Sequence, residues 1–313
     1  MPFFSPLRHP IHLRLLSVIL TLSSLLLVSN SSLAGDPFRT TNRRNISDET
    51  EAAFRILFEE GNYPLAKQRL VAYLDKNNTN NRYKVDPLAT ALLASLAYTE
   101  NNWEALASFA QKTIDNAKSL ASVDPLRSNL YLAVGNFLMG ASVYQIRGPI
   151  AALERLQLVL DYLDRAKKID PQDPELNLIQ GYLNLFLALK LPFSSPRQAI
   201  ADFQSYAAPS YLVNRGIAIA YRDLKEYDLA LVFVDKALQA TPSNPELYYL
   251  KGQILRAKGT KENNINLLQE ALRNFEIALS KKEQLPLESA RKPLEREWRK
   301  TKEKITELSQ KSG

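Results

Sequence analysis

From Ile46 to the C-terminus, apolar residues recur three and four positions apart, the period of a helix that turns one face to a core. The pattern is broken at regular intervals by Gly61-Asn62, Asn101-Asn102, Gly148-Pro149, Pro171, Pro192, Pro209, Pro242 and Gly259. Helices joined by short breaks fold as αα-hairpins. The breaks predict six of them, over residues 47–80, 87–117, 124–171, 174–208, 211–244 and 245–282. Two insertions interrupt the pattern, one around Leu191 to Ser195 and one around Gly259 to Asn266, and both read as longer inter-helix turns. Residues 36–45 are polar and lack a period, so they read as a linker. Leu294, Trp298, Ile305 and Leu308 form one apolar stripe on an otherwise charged C-terminal segment, which predicts a capping helix.

The stretch Tyr211 to Asn244 is 34 residues long and closely resembles the tetratricopeptide repeat. That motif places small residues at positions 8, 20 and 27, filled here by Ala218, Ala230 and Ala237. Large residues beside them are Ile217, Tyr221, Tyr227 and Val234, and Pro242 falls at position 32. Asn214 departs from the aromatic expected at position 4. The spacing has a physical basis: two helices approach closely only where side chains are small, and proline ends the second helix. Gly252, Ala271, Phe275 and Ala278 repeat the pattern in the next unit, and the four earlier units are looser. The resemblance implies an all-α, right-handed solenoid of about six stacked αα-hairpins with a C-terminal capping helix. As a whole the chain resembles exported tetratricopeptide proteins of cyanobacteria and other bacteria.

The N-terminus carries a different signal. Arg8 and Arg14 precede a mostly apolar run of 14 residues, Leu15 to Val28, and Ser32 and Ala34 stand at −3 and −1 of a cut after Ala34. This is the layout of a secretory signal, and the run is short for a spanning helix. The expected organisation is a signal peptide at 1–34, a linker at 35–45, a repeat domain at 46–282 and a charged capping helix at 283–313. An uncleaved N-terminal anchor is the alternative. The expected location is the periplasm or the thylakoid lumen, or secretion from the cell.

Export changes the chemistry that remains. The net charge of +7 falls to +5 when Arg8 and Arg14 leave, and both histidines, His9 and His12, leave with them. With no cysteine anywhere in the chain, a His- or Cys-based nucleophile, a His or Cys zinc site and a disulfide are excluded from the mature form. No cofactor or metal is expected. Paired carboxylates are the one catalytic alternative, as in an enzyme acting on cell-envelope glycans. Asp161 with Asp164, and Asp170 with Asp173, fit better as a solvated helix face and as end caps. Gly135 and Gly140 read as sites of close helix packing.

The expected function is therefore that of a scaffold or adaptor for protein–protein interaction, assisting the assembly of envelope or thylakoid complexes, and not that of an enzyme. By resemblance, positions 2, 5, 9, 12 and 13 of each repeat line a concave groove. These positions carry Arg215, Ile219, Arg222, Tyr249, Gln253 and Arg256, a set suited to an acidic or extended peptide. The family's carboxylate clamp needs Lys and Asn where this chain has Arg215, Ile219 and Leu250, so that specificity is not carried over. Nucleic acid is not an expected partner. Residues 281–313 hold 10 basic and 6 acidic residues, which allows a weak membrane-surface contact through the C-terminal helix.

Overall fold

The computed structural model describes residues 35–78, 85–190 and 195–312. The expected export signal at 1–34 and most of the insertion after Lys190 lie outside the described residues. Among those described, the chain is all-α. The first hairpin pairs α1 (Asp48–Phe58) with α2 (Tyr63–Asn78), the second α3 (Pro87–Thr99) with α4 (Trp103–Lys118), and the third α5 (Pro125–Arg147) with α6 (Pro149–Ile169). The fourth pairs α7 (Pro174–Lys190) with α8 (Pro196–Ser205), the fifth α9 (Ser210–Asp223) with α10 (Tyr227–Ala240), and the sixth α11 (Pro245–Glu262) with α12 (Ile265–Ser280). A 3-10 turn and a π turn lead into α13 (Lys292–Ser312), which packs on α12 and closes the stack.

Local chemistry sets these boundaries. Four of the first helices begin with proline behind an Asp or Asn cap. The side chain of Asp86 accepts from Leu88 N, Asp124 from Arg127 N, Asp173 from Leu176 N and Asn244 from Glu246 N. Such a cap satisfies one of the orphan amides of a helix start, and proline has no amide to satisfy. At the turn inside four hairpins one residue is left-handed: Gly61, Asn101, Lys225 and Asn263 all have φ between +50° and +67°. The insertion at 259–266 does not lengthen a turn, as the sequence suggested. It extends α11 to Glu262, because nothing in Gly259 to Glu262 stops a helix and the left-handed Asn263 then ends it abruptly.

The core follows the small-and-large rule of the repeat. Ala218, Ala230 and Ala237 are fully buried, and so are Ala66, Ala199, Ala271 and Ala278 at equivalent positions. Phe203 fills the space left by Gly181 and Gly216, while Phe275 fills that left by Gly252. Gly135 approaches the backbone of α4, where a Cβ would fall 3.1 Å from Ile114 N and 3.2 Å from Ala110 O.

Two features depart from an even stack. Hairpin three is enlarged, with helices of 23 and 21 residues, and its tip exposes Tyr144, Ile146, Ile150 and Leu153. Its second helix meets α7 only sparsely. The first hairpin touches the far end of the chain as well as α3: α2 packs against the turn at Lys282–Gln284, and its Lys67 pairs with Glu100 at 2.7 Å.

The Gly252–Phe275 contact predicts a coupled pair of mutational effects. Gly252→Ala places a Cβ 2.4 Å from the Phe275 ring and lowers stability by about 1–3 kcal/mol in urea unfolding. In a Phe275→Leu background the same change costs clearly less. Equal losses in both backgrounds would show that the ring is not what the glycine accommodates.

Candidate functional site

The candidate site is the face built by the first helices α3, α5, α7, α9 and α11. Residues 35–45 hold no helix, but they do not hang free. Asp36 and Phe38 are each 5% exposed, and Ile46 is fully buried. The arm folds on itself, with Phe38 N and Arg44 N both donating to Asp36. It is then fastened to two hairpins far along the chain. Arg39 pairs with Asp173, and Arg44 reaches Asp173 at 2.9 Å, Glu175 at 2.8 Å and Asp124 at 2.9 Å. The acids come from the capped starts of α5 and α7, so one set of carboxylates both ends a loop and holds the arm.

Deeper in, Arg127 forms a bidentate pair with Asp86 at 2.8 and 2.9 Å and lies 3.6 Å from Glu175. Its guanidinium stacks over the Tyr131 ring, and Tyr131 donates to Glu175 at 2.6 Å. Glu175 is fully buried. Burial pushes its carboxyl above the ordinary 4.5, although Arg127, Arg44, the Tyr131 hydroxyl and Arg39 pull the other way. Desolvation thus outweighs three arginines, as expected where charges are removed from water.

The arm leads into α1, which crosses the same face. Phe54 and Leu57 are buried there, and Phe54 meets Phe38 and Phe58 edge to face. The turn after α1 then reaches the start of α11. Asn244 donates to the Phe58 carbonyl at 2.9 Å, and Tyr63 donates to Glu246 at 2.6 Å. Gly61 is required at this junction: its φ is +67°, and a Cβ would fall 2.5 Å from Asn244 Oδ1.

The six residues expected to line a groove separate into two sets. Arg215 lies at the filled end, 3.2 Å from Glu246. Burial would lower its pKa, but Glu246 and the Tyr182 and Tyr63 phenols hold it above the ordinary value. Ile219 is half-buried and packs into the core. The other four lie further along α9 and α11. Arg222 donates to Gln253 at 2.8 Å, while Gln253 and Tyr249 both donate to Glu297 of α13, at 3.0 and 2.9 Å. Arg256 is one turn beyond Gln253, half-buried, and its Nε has no hydrogen-bond partner. The structure therefore brings Arg222, Tyr249, Gln253 and Arg256 together and leaves Arg215 about 10 Å away along α9. Of the carboxylates weighed as catalytic, Asp164 pairs with Lys168 on an exposed face, Asp161 is exposed beside it and Asp170 caps a turn, while Asp173 caps α7 and pairs with Arg39 and Arg44 of the arm.

Sequence reasoning missed Arg39, Arg44, Arg127 and Glu175. The available signal was Phe38 and three arginines, Arg39, Arg43 and Arg44, in a short segment otherwise read as a linker.

No known protein family matches the sequence, and no curated protein matches it. Among solved structures, the chain is similar to TTC0263, a thermophilic TPR protein in Thermus thermophilus. The superposition has a TM-score of 0.43 at 19% identity and covers 64% of this chain and 93% of that one.

The ionic cluster makes a testable pair of statements. Arg127→Met leaves Asp86 and Glu175 without their main counter-charge and costs about 3–5 kcal/mol. Glu175→Gln costs little or nothing at neutral pH. Because the folded state holds the Glu175 proton more tightly than the unfolded chain, its contribution favours folding at low pH and fades as pH rises above 4.5. Thermal unfolding from pH 4 to 7 should therefore show the wild type losing stability relative to Glu175→Gln. A wild type that gains on the variant over this range contradicts the burial-dominated assignment.

Proposed function

We propose that the chain is an exported interaction scaffold that holds an acidic segment of a partner protein. The segment would lie on the part of the concave face that the N-terminal arm leaves free, at Arg222, Tyr249, Gln253 and Arg256. The observation that carries this reading is the reception of Glu297 by Tyr249 and Gln253, with Arg222 hydrogen-bonded behind them. Neighbouring first helices thus already hold a carboxylate in cis. Half-buried Arg256 adds a buried Nε without a hydrogen-bond partner one turn further on. Arginine on a preformed helical face suits carboxylate recognition, since a bidentate contact loses little freedom on forming. Assembly of envelope or thylakoid complexes is the role we infer for such a scaffold.

The test is co-purification of a partner from the native membrane fraction with wild type and with Arg222→Glu/Arg256→Glu. Arg215 is left unchanged, because reversing a buried partner of Glu246 would disturb folding instead of binding. The variant should keep its thermal midpoint within a few degrees and lose at least tenfold in partner recovery. Unchanged recovery assigns the partner to another surface.

Export has its own test. N-terminal sequencing of the protein from a periplasmic or lumenal fraction should begin at Gly35. A chain that begins at Met1 and stays with the membrane establishes the anchor instead.

A further inference from the structure

Between the first helices and the N-terminal arm lies a cavity of about 460 Å³, in the size range of small-molecule sites. Its floor is aromatic, made by Phe38 of the arm with Phe54 and Phe58 of α1, and its walls are the inner faces of α3, α5, α6, α7 and α9. Two of these walls, α6 and α7, meet each other only sparsely. Along α7 its lining runs from Leu178 to Phe186, a depth of about 12 Å at the helix rise.

The wall carries four polar side chains, and each is already engaged. Ser95 donates to Ala91 O, Tyr131 to Glu175, Tyr182 to Leu212 O, and Arg215 pairs with Glu246. An extended peptide would bring a backbone donor and acceptor at every residue and find no partner for them. A carboxylate driven to the floor would meet phenyl rings and an arginine whose charge is already neutralised. The lining therefore selects an unbranched apolar chain without polar groups along its length.

The mouth indicates the source of that chain. Phe186, 36% exposed, packs edge to face on Phe137 at 5.2 Å. From Phe137 the stripe continues on one face of α5 through Ala141 to Tyr144, which is 52% exposed. Beyond it the tip of the enlarged hairpin presents Ile146, Ile150 and Leu153, all more than half exposed. An apolar path thus runs from the cavity to a protruding apolar tip, the arrangement needed to draw a chain out of a bilayer. We propose that the cavity is a binding site for a single acyl chain of a membrane lipid, inserted tail first with the head group left at the mouth. The proposal is independent of the partner site at Arg222 and Arg256.

The depth sets a length. At about 1.25 Å per carbon, about ten carbons fill 12 Å. The experiment is displacement of dansylated undecanoic acid from the full chain by linear alkyl phosphocholines of six to fourteen carbons, below their micelle-forming concentrations. Affinity should rise about fourfold per added carbon and level off near ten. Ala91→Phe and Val134→Trp, which fill the wall from two different helices, should each weaken binding at least tenfold while helix content is kept. Three results overturn the proposal. One is the absence of saturable displacement; another is affinity that rises without a plateau, which marks partition onto a surface. The third is stronger displacement by a lysine-flanked peptide of residues 15–28, which gives the cavity to the chain's own apolar run. Should the filled variants not fold, the length series on the native protein decides alone.

Discussion

The architecture depends on one buried electrostatic constraint. Glu175 has no exposure to water, and the groups that make its charge tolerable come from two separate places: Arg127 and Tyr131 from α5, and Arg39 and Arg44 from the N-terminal arm. Removing a carboxylate from water is costly, and the raised pKa of Glu175 shows that its partners do not fully offset the cost. Such a cluster adds little net stability. What it specifies is position, because only one placement of the arm brings Arg39 and Arg44 to Asp173 and Glu175 together.

Everything inside the concave face follows from that placement. With the arm fixed, α1 is drawn across the first helices, Phe38, Phe54 and Phe58 form a floor, and the turn at Gly61 locks onto Asn244 and Glu246. A surface that would be one continuous groove in an open stack is thereby divided. The end near the helix starts is filled by the chain itself. The remainder is an apolar cavity beside α5 and α7 and a polar ladder on α9 and α11. Two kinds of recognition are thus separated on one face, one by shape and apolarity and one by charge.

The hairpins were legible in the sequence because their determinants are local. Pro87, Pro125, Pro174 and Pro245 begin helices that start where the periodicity begins, and Ala218, Ala230 and Ala237 are buried where the repeat spacing requires small residues. Gly259 misled because glycine is read as a breaker, yet here it lets α12 approach, and a Cβ would fall 3.0 Å from Leu267. The arm was not legible. Arg39 and Asp173 are 134 residues apart, and no period or spacing connects them. For the same reason the pattern could point Arg215 into the concavity but could not say that Glu246 and Tyr63 wait there. Long-range charge pairing leaves no trace in a window of sequence, whereas capping and packing do.

Residues 35–58 are a structural part of the concave face and not a tether. Hydrogen exchange followed by mass spectrometry on the full chain measures this. Amides from Phe38 through Leu57 should exchange as slowly as those of α5 and α7, through the same cooperative opening. Exchange of residues 38–46 within seconds, while α5 and α7 remain protected, would contradict it.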